Sequence, residues 1–308
     1  MDQTPSHHGQ KQDEIECSSN ETIRLLLNRG SCRNFDEKEI PDDILDQILA
    51  AGIHAPTGGN LQPWSIIKIT SPSSRNQLTE WCHQGYMAKA PVHLLFCIDW
   101  HRLARWADLT AAPYAAHASF RHFWISIQDV ICSAQNICTA ADSLGLGSVY
   151  IGTIMEFFEE VRALCELPDR VMPVVLLCLG YPKSNPGVRR KLGQQVLVHE
   201  ETYSELSDAD LLTAYDQKYP GQKVEVTPER LEAIKEVCTD LHGEPMADRC
   251  LAEIERAGFI NPCQRYFGLH YEANMMARGN DEFLKQVKDF GFRWFEKFSP
   301  DAGRSEQS

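Results

Sequence analysis

Apolar positions first recur at helical spacing behind a polar lead. Ile23, Leu26 and Leu27 follow Ser18-x-x-Glu21, which has the spacing of a capping box, and predict a helix stopped by Gly30. A second helix is expected from Pro41-Asp42-Asp43, where proline suits the first turn and the acids suit its positive end. Its buried stripe is Ile44, Leu45, Ile48 and Leu49, and Gly52 closes it. The pattern then changes to β-rich apolar runs at residues 64–70 and 92–98, read as strands. Residues 116–144 form a long helical pattern with Phe123, Ile127, Val130, Ala134, Ile137 and Ala141, apolar on most faces. Such a helix belongs in the centre of a fold or at a subunit interface. A strand at 148–151, a helix at 155–164 and a strand at 174–180 follow. Strands alternating with helices predict a layered α/β or α+β domain.

After Gly180-Tyr181-Pro182 the texture changes. Residues 183–223 read as mostly loop, with a short helix near 208–215. Beyond Pro228 only helical patterns remain, at 229–241, 247–257, 263–276 and 282–298. The expected organisation is a flexible lead over 1–18, a domain over 19–217 and a helical extension over 218–308.

With 308 residues, 43% of them hydrophobic and 24% charged, the chain can build a full core without disulfides or metal. A net charge of −13 opposes nucleic-acid binding, and Arg189-Arg190-Lys191 is the sole basic triple, sized for one small phosphorylated ligand. The longest apolar run, residues 171–181, is about half of the roughly 20 residues a spanning helix needs, so no membrane association is expected. The N-terminal stretch has no apolar signal region, and the default expectation is a cytoplasmic protein. Its 11 cysteines show neither C-x-x-C pairing nor zinc spacing, and Cys97 and Cys178 read as small buried hydrophobes. No metal site is expected, and His83, His93, His117 and His122 read as structural.

Four segments carry candidate chemistry. Arg29-Gly30-Ser31-Cys32-Arg33 places two guanidinium groups four residues apart around a serine, a compact set of donors for an anion. The same residues also read as an ordinary helix C-cap with solvated arginines and an unreactive Cys32 thiol. Pro56-Thr57-Gly58-Gly59-Asn60-Leu61-Gln62 joins a helix to a strand; its glycines permit close approach to a flat ligand, and Asn60 and Gln62 match the mixed edge of a heterocycle, though a tight connecting loop would look similar. Gly145-Leu146-Gly147-Ser148-Val149-Tyr150-Ile151-Gly152 has glycines in the wrong order for a dinucleotide turn, because the helix comes first and the strand lies inside the motif; a Rossmann site is rejected. The basic loop Arg189-Arg190-Lys191 is a further candidate anion contact, or a solvated loop.

Taken in order, Arg-x-Ser-x-Arg at 29–33, Pro-Thr-Gly-Gly-Asn-x-Gln-Pro-Trp at 56–64, Gly-x-Gly-Ser-x-Tyr-Ile-Gly at 145–152, and Leu-Gly-Tyr-Pro followed by the basic triple resemble the FMN-dependent nitroreductase family. The likeness is greatest to its oxygen-insensitive nitroreductase and flavin reductase P branch. The resemblance implies an α+β nitroreductase-like fold, with a central, mainly antiparallel sheet flanked by helices in an interlocked homodimer. It implies an enzyme in which FMN carries the chemistry, with no protein catalytic group, by ping-pong hydride transfer from NAD(P)H to a small-molecule acceptor such as a nitroaromatic, quinone or flavin. The alternatives on this fold are a specialised FMN enzyme (dehalogenation, flavin fragmentation or biosynthetic dehydrogenation) and a non-catalytic flavin-binding protein.

The implied cofactor contacts are Arg29, Gly30, Ser31, Cys32 and Arg33 at the phosphate and ribityl chain. Pro56, Thr57, Gly58, Asn60 and Gln62 would reach the flavin from the other subunit. Gln84, Ser148, Tyr150, Ile151 and Gly152 would lie along the ring, and Arg189 and Lys191 near the pyrimidine edge or the phosphate. The chain departs from the family pattern in three ways. Thr57-Gly58 stands where Ser-Ser is common, Arg189-x-Lys191 inverts the usual order, and the helical extension exceeds the usual tail.

Overall fold

The computed structural model describes residues 20–297, so the expected flexible lead and Ser18 lie outside the described residues. The described chain packs as two units: residues 20–188 together with 284–297, and residues 189–283. The expected division between 217 and 218, read from where helical patterns alone remain, falls within the second unit.

The first unit is built on a four-stranded antiparallel sheet ordered β1-β2-β4-β3, with β1 Trp64–Ile69, β2 Val92–Asp99, β3 Gly147–Ile151 and β4 Val171–Gly180. Every residue of β2 is buried, as expected of a central strand covered on both faces. Helix α1 (Glu21–Asn28) is capped by Asn20, whose side-chain oxygen accepts from Ile23 N at 3.0 Å. Helix α2 is Asp42–Ile53, α3 Pro72–Trp81, α4 Trp100–Leu109, α5 Phe120–Ser143 and α6 Phe158–Leu164.

Gly52 is the last residue but one of α2, which ends at Ile53, and it packs closely on α5, where a Cβ would stand 2.5 Å from Ile137 Cγ1. Two expectations change here. The long helix begins at Phe120 after a separate 3-10 turn over Ala116–Ala118, and Phe123, Val130, Ala134, Ile137 and Ala141 are buried as expected. The helix expected at 155–164 breaks at Phe157 into a 3-10 turn, Thr153–Glu156, and α6. Helices α3 and α4 escaped the periodicity reading. Helix α4 starts where Asp99, at the end of β2, caps Arg102 N at 2.9 Å. Cys97 and Cys178 are fully buried on β2 and β4, and burial pushes both thiols well up.

The second unit contains short α7 (Gln194–Leu197), α8 (Asp208–Lys218), the hairpin of α9 (Pro228–His242) and α10 (Glu244–Ala257), and α11 (Pro262–Arg265). Ile234, Ile254 and Ile260 form its small core. The helix expected at 263–276 ends early: α11 passes into a π turn at Tyr266–His270 and then into turns, with Glu272 left-handed at φ 46°. The last helix, α12 (Asn280–Asp289), stops well short of 298, because Gly291 turns the chain at φ 81°. The returning Phe290 and Phe292 are buried in the first unit's core, where the Phe292 ring lies tilted by 37° against Trp100 with centres 4.8 Å apart.

Candidate functional site

Beyond α1 the chain extends beside the edge strand β3: Cys32 N donates to Ser148 O at 2.9 Å, and Ser31 bridges Ser148 in parallel register. Extended backbone sends neighbouring side chains to opposite sides. Cys32 is therefore 1% exposed and packed under Gly147, with its thiol pushed up by burial, whereas Arg33 is exposed. The Cys32 thiol faces the core and is unavailable to a ligand. Gly30 backs onto the Pro186 carbonyl, where a Cβ would be 2.6 Å from the oxygen.

Arg29 turns inward between α5 and β3. Its Nη2 donates to Ser148 Oγ at 3.3 Å, and its guanidinium lies 5.7 Å from the Tyr150 ring centre. Its buried Nε makes no hydrogen bond and is 3.9 Å from Asp142 Oδ2. Burial pushes the Asp142 carboxyl up to about 6, with Arg29 pulling the other way. Arg29 and Asp142 line a cavity of about 740 Å³ together with Arg24, Asn28, Leu146 and Asn185.

A chain of side chains runs from the 29–33 motif through Tyr86 and Gln84 to Thr153, the residue after the 145–152 motif. Arg33 lies 6.0 Å from the Tyr86 ring centre; Tyr86 donates to Gln84 Oε1; Gln84 Nε2 donates to Thr153 Oγ1 at 2.9 Å. Burial raises the Tyr86 phenol, and Arg33 lowers it. Thr153 follows Gly152, which is exposed and has open space where a Cβ would stand, so backbone there can meet a flat ligand. Ser148 and Ile151 are buried, and Tyr150 is half-buried with its hydroxyl donating to Gln135 Oε1 at 3.5 Å. Segments 29–33, 84–86 and 148–153 are thus brought together.

The loop from Pro56 to Gln62 is bonded instead to α5. Thr57 Oγ1 donates to Asp129 Oδ2 at 2.7 Å, and Gly58 N donates to the same oxygen at 3.0 Å. Gln62 N donates to Thr57 Oγ1 at 3.1 Å, and Gln62 Nε2 to Ile53 O at 3.2 Å. Pro56 and Asn60 are exposed. Arg189 and Lys191 are exposed in the second unit.

Sequence reading missed Asp129, Tyr86 and Thr153. For Asp129 a signal existed: it is the sole acidic residue between 120 and 141, in an otherwise apolar and neutral-polar helix apart from Arg121 and His122. A buried charge of that kind needs partners. Tyr86 and Thr153 gave no signal, since their pairing depends on two turns meeting in space.

Among known proteins, the model of the Nitroreductase family matches residues 26–181, half of the chain. The oxygen-insensitive NADPH nitroreductase of Salmonella typhimurium is 36% identical over 198 residues, covering 64% of this chain and 80% of that protein. The NADPH-flavin oxidoreductase of Vibrio harveyi is likewise 36% identical, over 200 residues with the same coverage. In three dimensions, the structure of Vibrio harveyi NADPH:FMN oxidoreductase complexed with NAD+ aligns with a TM-score of 0.61 at 32% identity, covering 78% of this chain and 98% of that one. Bacillus megaterium NfrA2 aligns with a TM-score of 0.67 at 26% identity, covering 90% and 100%. The motif order, the antiparallel sheet and these matches agree, and the chain belongs to the Nitroreductase family.

Proposed function

We propose that this protein is an FMN-dependent NAD(P)H oxidoreductase that passes electrons to an electron-poor small molecule: a nitroaromatic, a quinone or a free flavin. The observation that carries the reading is the meeting of segments 29–33, 84–86 and 148–153, joined by the Arg29–Ser148 bond and the Arg33–Tyr86–Gln84–Thr153 chain. The relatives named as NADPH nitroreductase and NADPH-flavin oxidoreductase support it.

The residues present fit FMN. Arg29 keeps a buried Nε without a hydrogen-bond partner, and with the exposed Arg33 and the Ser31 hydroxyl it makes a donor set of the kind a phosphate takes. In this reading Arg29, Ser31 and Arg33 bind the phosphate and ribityl chain, and the backbone at Tyr150–Gly152 lies against the ring. Cys32 and Gly30 contribute backbone only. Bound FMN would supply hydride acceptance from NAD(P)H and its delivery to the acceptor. Gln84, oriented by Tyr86, holds the Gly152–Thr153 turn in place, and the Arg29 and Arg33 guanidinium groups would offset the negative charge of the phosphate. Arg189 and Lys191 are further candidate anion contacts.

We assign the same family architecture of a homodimer to this chain. Helix α5 carries Trp124 and Ile131 at 55% and 42% exposure, an apolar face that a second copy would cover. The 56–62 loop, bonded to that helix, would then reach the flavin of the partner subunit.

The test is the visible spectrum of the purified protein, followed without oxygen after adding NADPH or NADH. Bleaching of a bound flavin, and recovery on adding menadione or nitrofurazone, is the expected result. A flavin that stays oxidised with both nicotinamides would move the protein to a specialised or non-catalytic role, and absence of any flavin binding would end the reading.

A further inference from the structure

Residues Thr57 to Gln62 hold an unfavourable backbone. Gly59, Asn60 and Gln62 have φ of 59°, 56° and 48°, and two of those three are not glycine. Left-handed conformations of this kind are costly for residues with a Cβ and persist only where surrounding groups impose them. Arg102 holds the far end of the loop, with Nη2 donating to Gln62 O at 2.7 Å, and at its start one buried carboxylate takes two donors. Asp129 is 6% exposed in the middle of α5, and the structure places its oxygens against two donors of the loop, the Thr57 hydroxyl and the Gly58 amide. Thr57 passes the constraint on: having donated to Asp129, its oxygen accepts from Gln62 N at 3.1 Å, which closes the turn around Asn60.

The departure from Ser-Ser acquires a physical reason from the same geometry. A Cβ at Gly58 would stand 2.9 Å from Ile125 Cγ2, so glycine lets the loop lie close against α5 at the point where its amide donates to Asp129. The Thr57 hydroxyl gives its proton to Asp129 and one of its two lone pairs to Gln62 N, so it keeps no donor for a ligand. What the loop retains for a ligand is the exposed Asn60 side chain and backbone groups, aimed by the turn that Asp129 holds.

We propose that Asp129 is the positioning residue of the 56–62 loop: its buried carboxylate, through Thr57 and Gly58, sets the backbone with which that loop meets the flavin. The inference rests on the FMN reading above. In this reading Asp129 acts through Thr57 and Gly58 rather than on the ligand. It acts from the helix that also carries the exposed Trp124 and Ile131, so one helix serves both the loop and the expected subunit contact.

The test compares the full-length protein with Asp129→Asn and Asp129→Ala. Asparagine keeps the shape and one acceptor, so it preserves one of the two loop bonds; alanine removes both. FMN affinity is measured by quenching of flavin fluorescence well below the melting temperature, and amide hydrogen exchange is followed over the loop and over α5 without FMN. The expected result is a graded loss: the Kd for FMN rises about tenfold or more with alanine and by less with asparagine. Loop exchange should quicken in the same order while α5 stays protected. A merely structural carboxylate would loosen α5 and leave the affinity of the folded protein unchanged. The proposal is overturned if the asparagine and alanine variants, both folded, bind FMN within twofold of the parent, or if loop exchange does not change. If the parent itself binds no FMN, the FMN reading fails first, and the proposal fails with it.

Discussion

The phenol of Tyr86 donates to the side-chain carbonyl of Gln84, and this fixes which end of that amide faces Thr153. The consequence is directional. With Oε1 occupied by Tyr86, Nε2 is turned to the Thr153 hydroxyl at 2.9 Å, and the turn following β3 is tied to the one following α3. Tyr86→Phe deletes one hydroxyl and leaves Gln84 Oε1 without its donor. The expected outcome is FMN binding weaker by about five- to tenfold, corresponding to the loss of one partly buried hydrogen bond. A fluorescence titration checks it; an unchanged Kd would take Tyr86 out of the site's organisation.

Arg29 holds Ser148 and faces Asp142 from one guanidinium. Arg29→Ala leaves the buried Ser148 hydroxyl without its donor and Asp142 without its cation. Unfolding in urea should show a loss of about 1–3 kcal/mol, together with a fall in FMN affinity. Arg29→Lys should fall between parent and alanine in both measurements, since an ammonium keeps the charge without the planar fork.

Gly52→Ala sets two effects against each other. Alanine in a helix interior is ordinarily favoured over glycine by about 1 kcal/mol. Here the added Cβ would stand 2.5 Å from Ile137 Cγ1, and overpacking of a closed core costs about 1–3 kcal/mol. The clash should win, giving a lower thermal midpoint. A more stable protein would mean that Ile137 has room to withdraw.

His93 is fully buried on β2 with Nε2 2.9 Å from Met87 O, and burial lowers its pKa to about 4. An unfolded histidine takes up a proton near pH 6.5, so between that value and about 4 the unfolded chain binds a proton that the folded protein refuses. The contribution is complete above the unfolded value and is lost as the pH falls. Asp142, raised to about 6, works in the opposite sense: its contribution is lost as the pH rises from its ordinary value of 3.8 towards 6. Urea unfolding of the parent and His93→Gln from pH 7 to 4.5 should therefore differ in slope, the parent losing more stability on acidification. Parallel slopes would mean that His93 is protonated inside the fold.

Trp124→Glu and Ile131→Glu place charges on the exposed apolar face of α5. If that face covers a second copy, light scattering should register two chains for the parent and one for the double variant, with FMN affinity falling alongside. A parent that runs as a single chain at micromolar concentration would end the dimer assignment and leave the 56–62 loop without a flavin to reach.

By itself the sequence determined much of the frame. The β-rich runs at 64–70 and 92–98 and the long helical pattern behind residue 116 appear as β1, β2 and α5, because central strands and helices in a layered fold are apolar on the faces they bury. Motif order was equally legible, since Arg29, Gly58, Ser148 and Gly152 stand at separations set by the connections between elements. Tertiary structure decided what those residues do. Periodicity assigned Gly52 the end of a helix, and only the closeness of Ile137 shows that it is a packing contact. The motif placed Cys32 within the anion cradle by resemblance alone, and its pairing beside Ser148 is what turns the thiol into the core. Asp129 stands out in the sequence as a lone acid in α5, but its role, like that of Tyr86, is set by the partners that folding brings: for Asp129 a loop 72 residues away, for Tyr86 the Gln84 amide that reaches Thr153, 69 residues on.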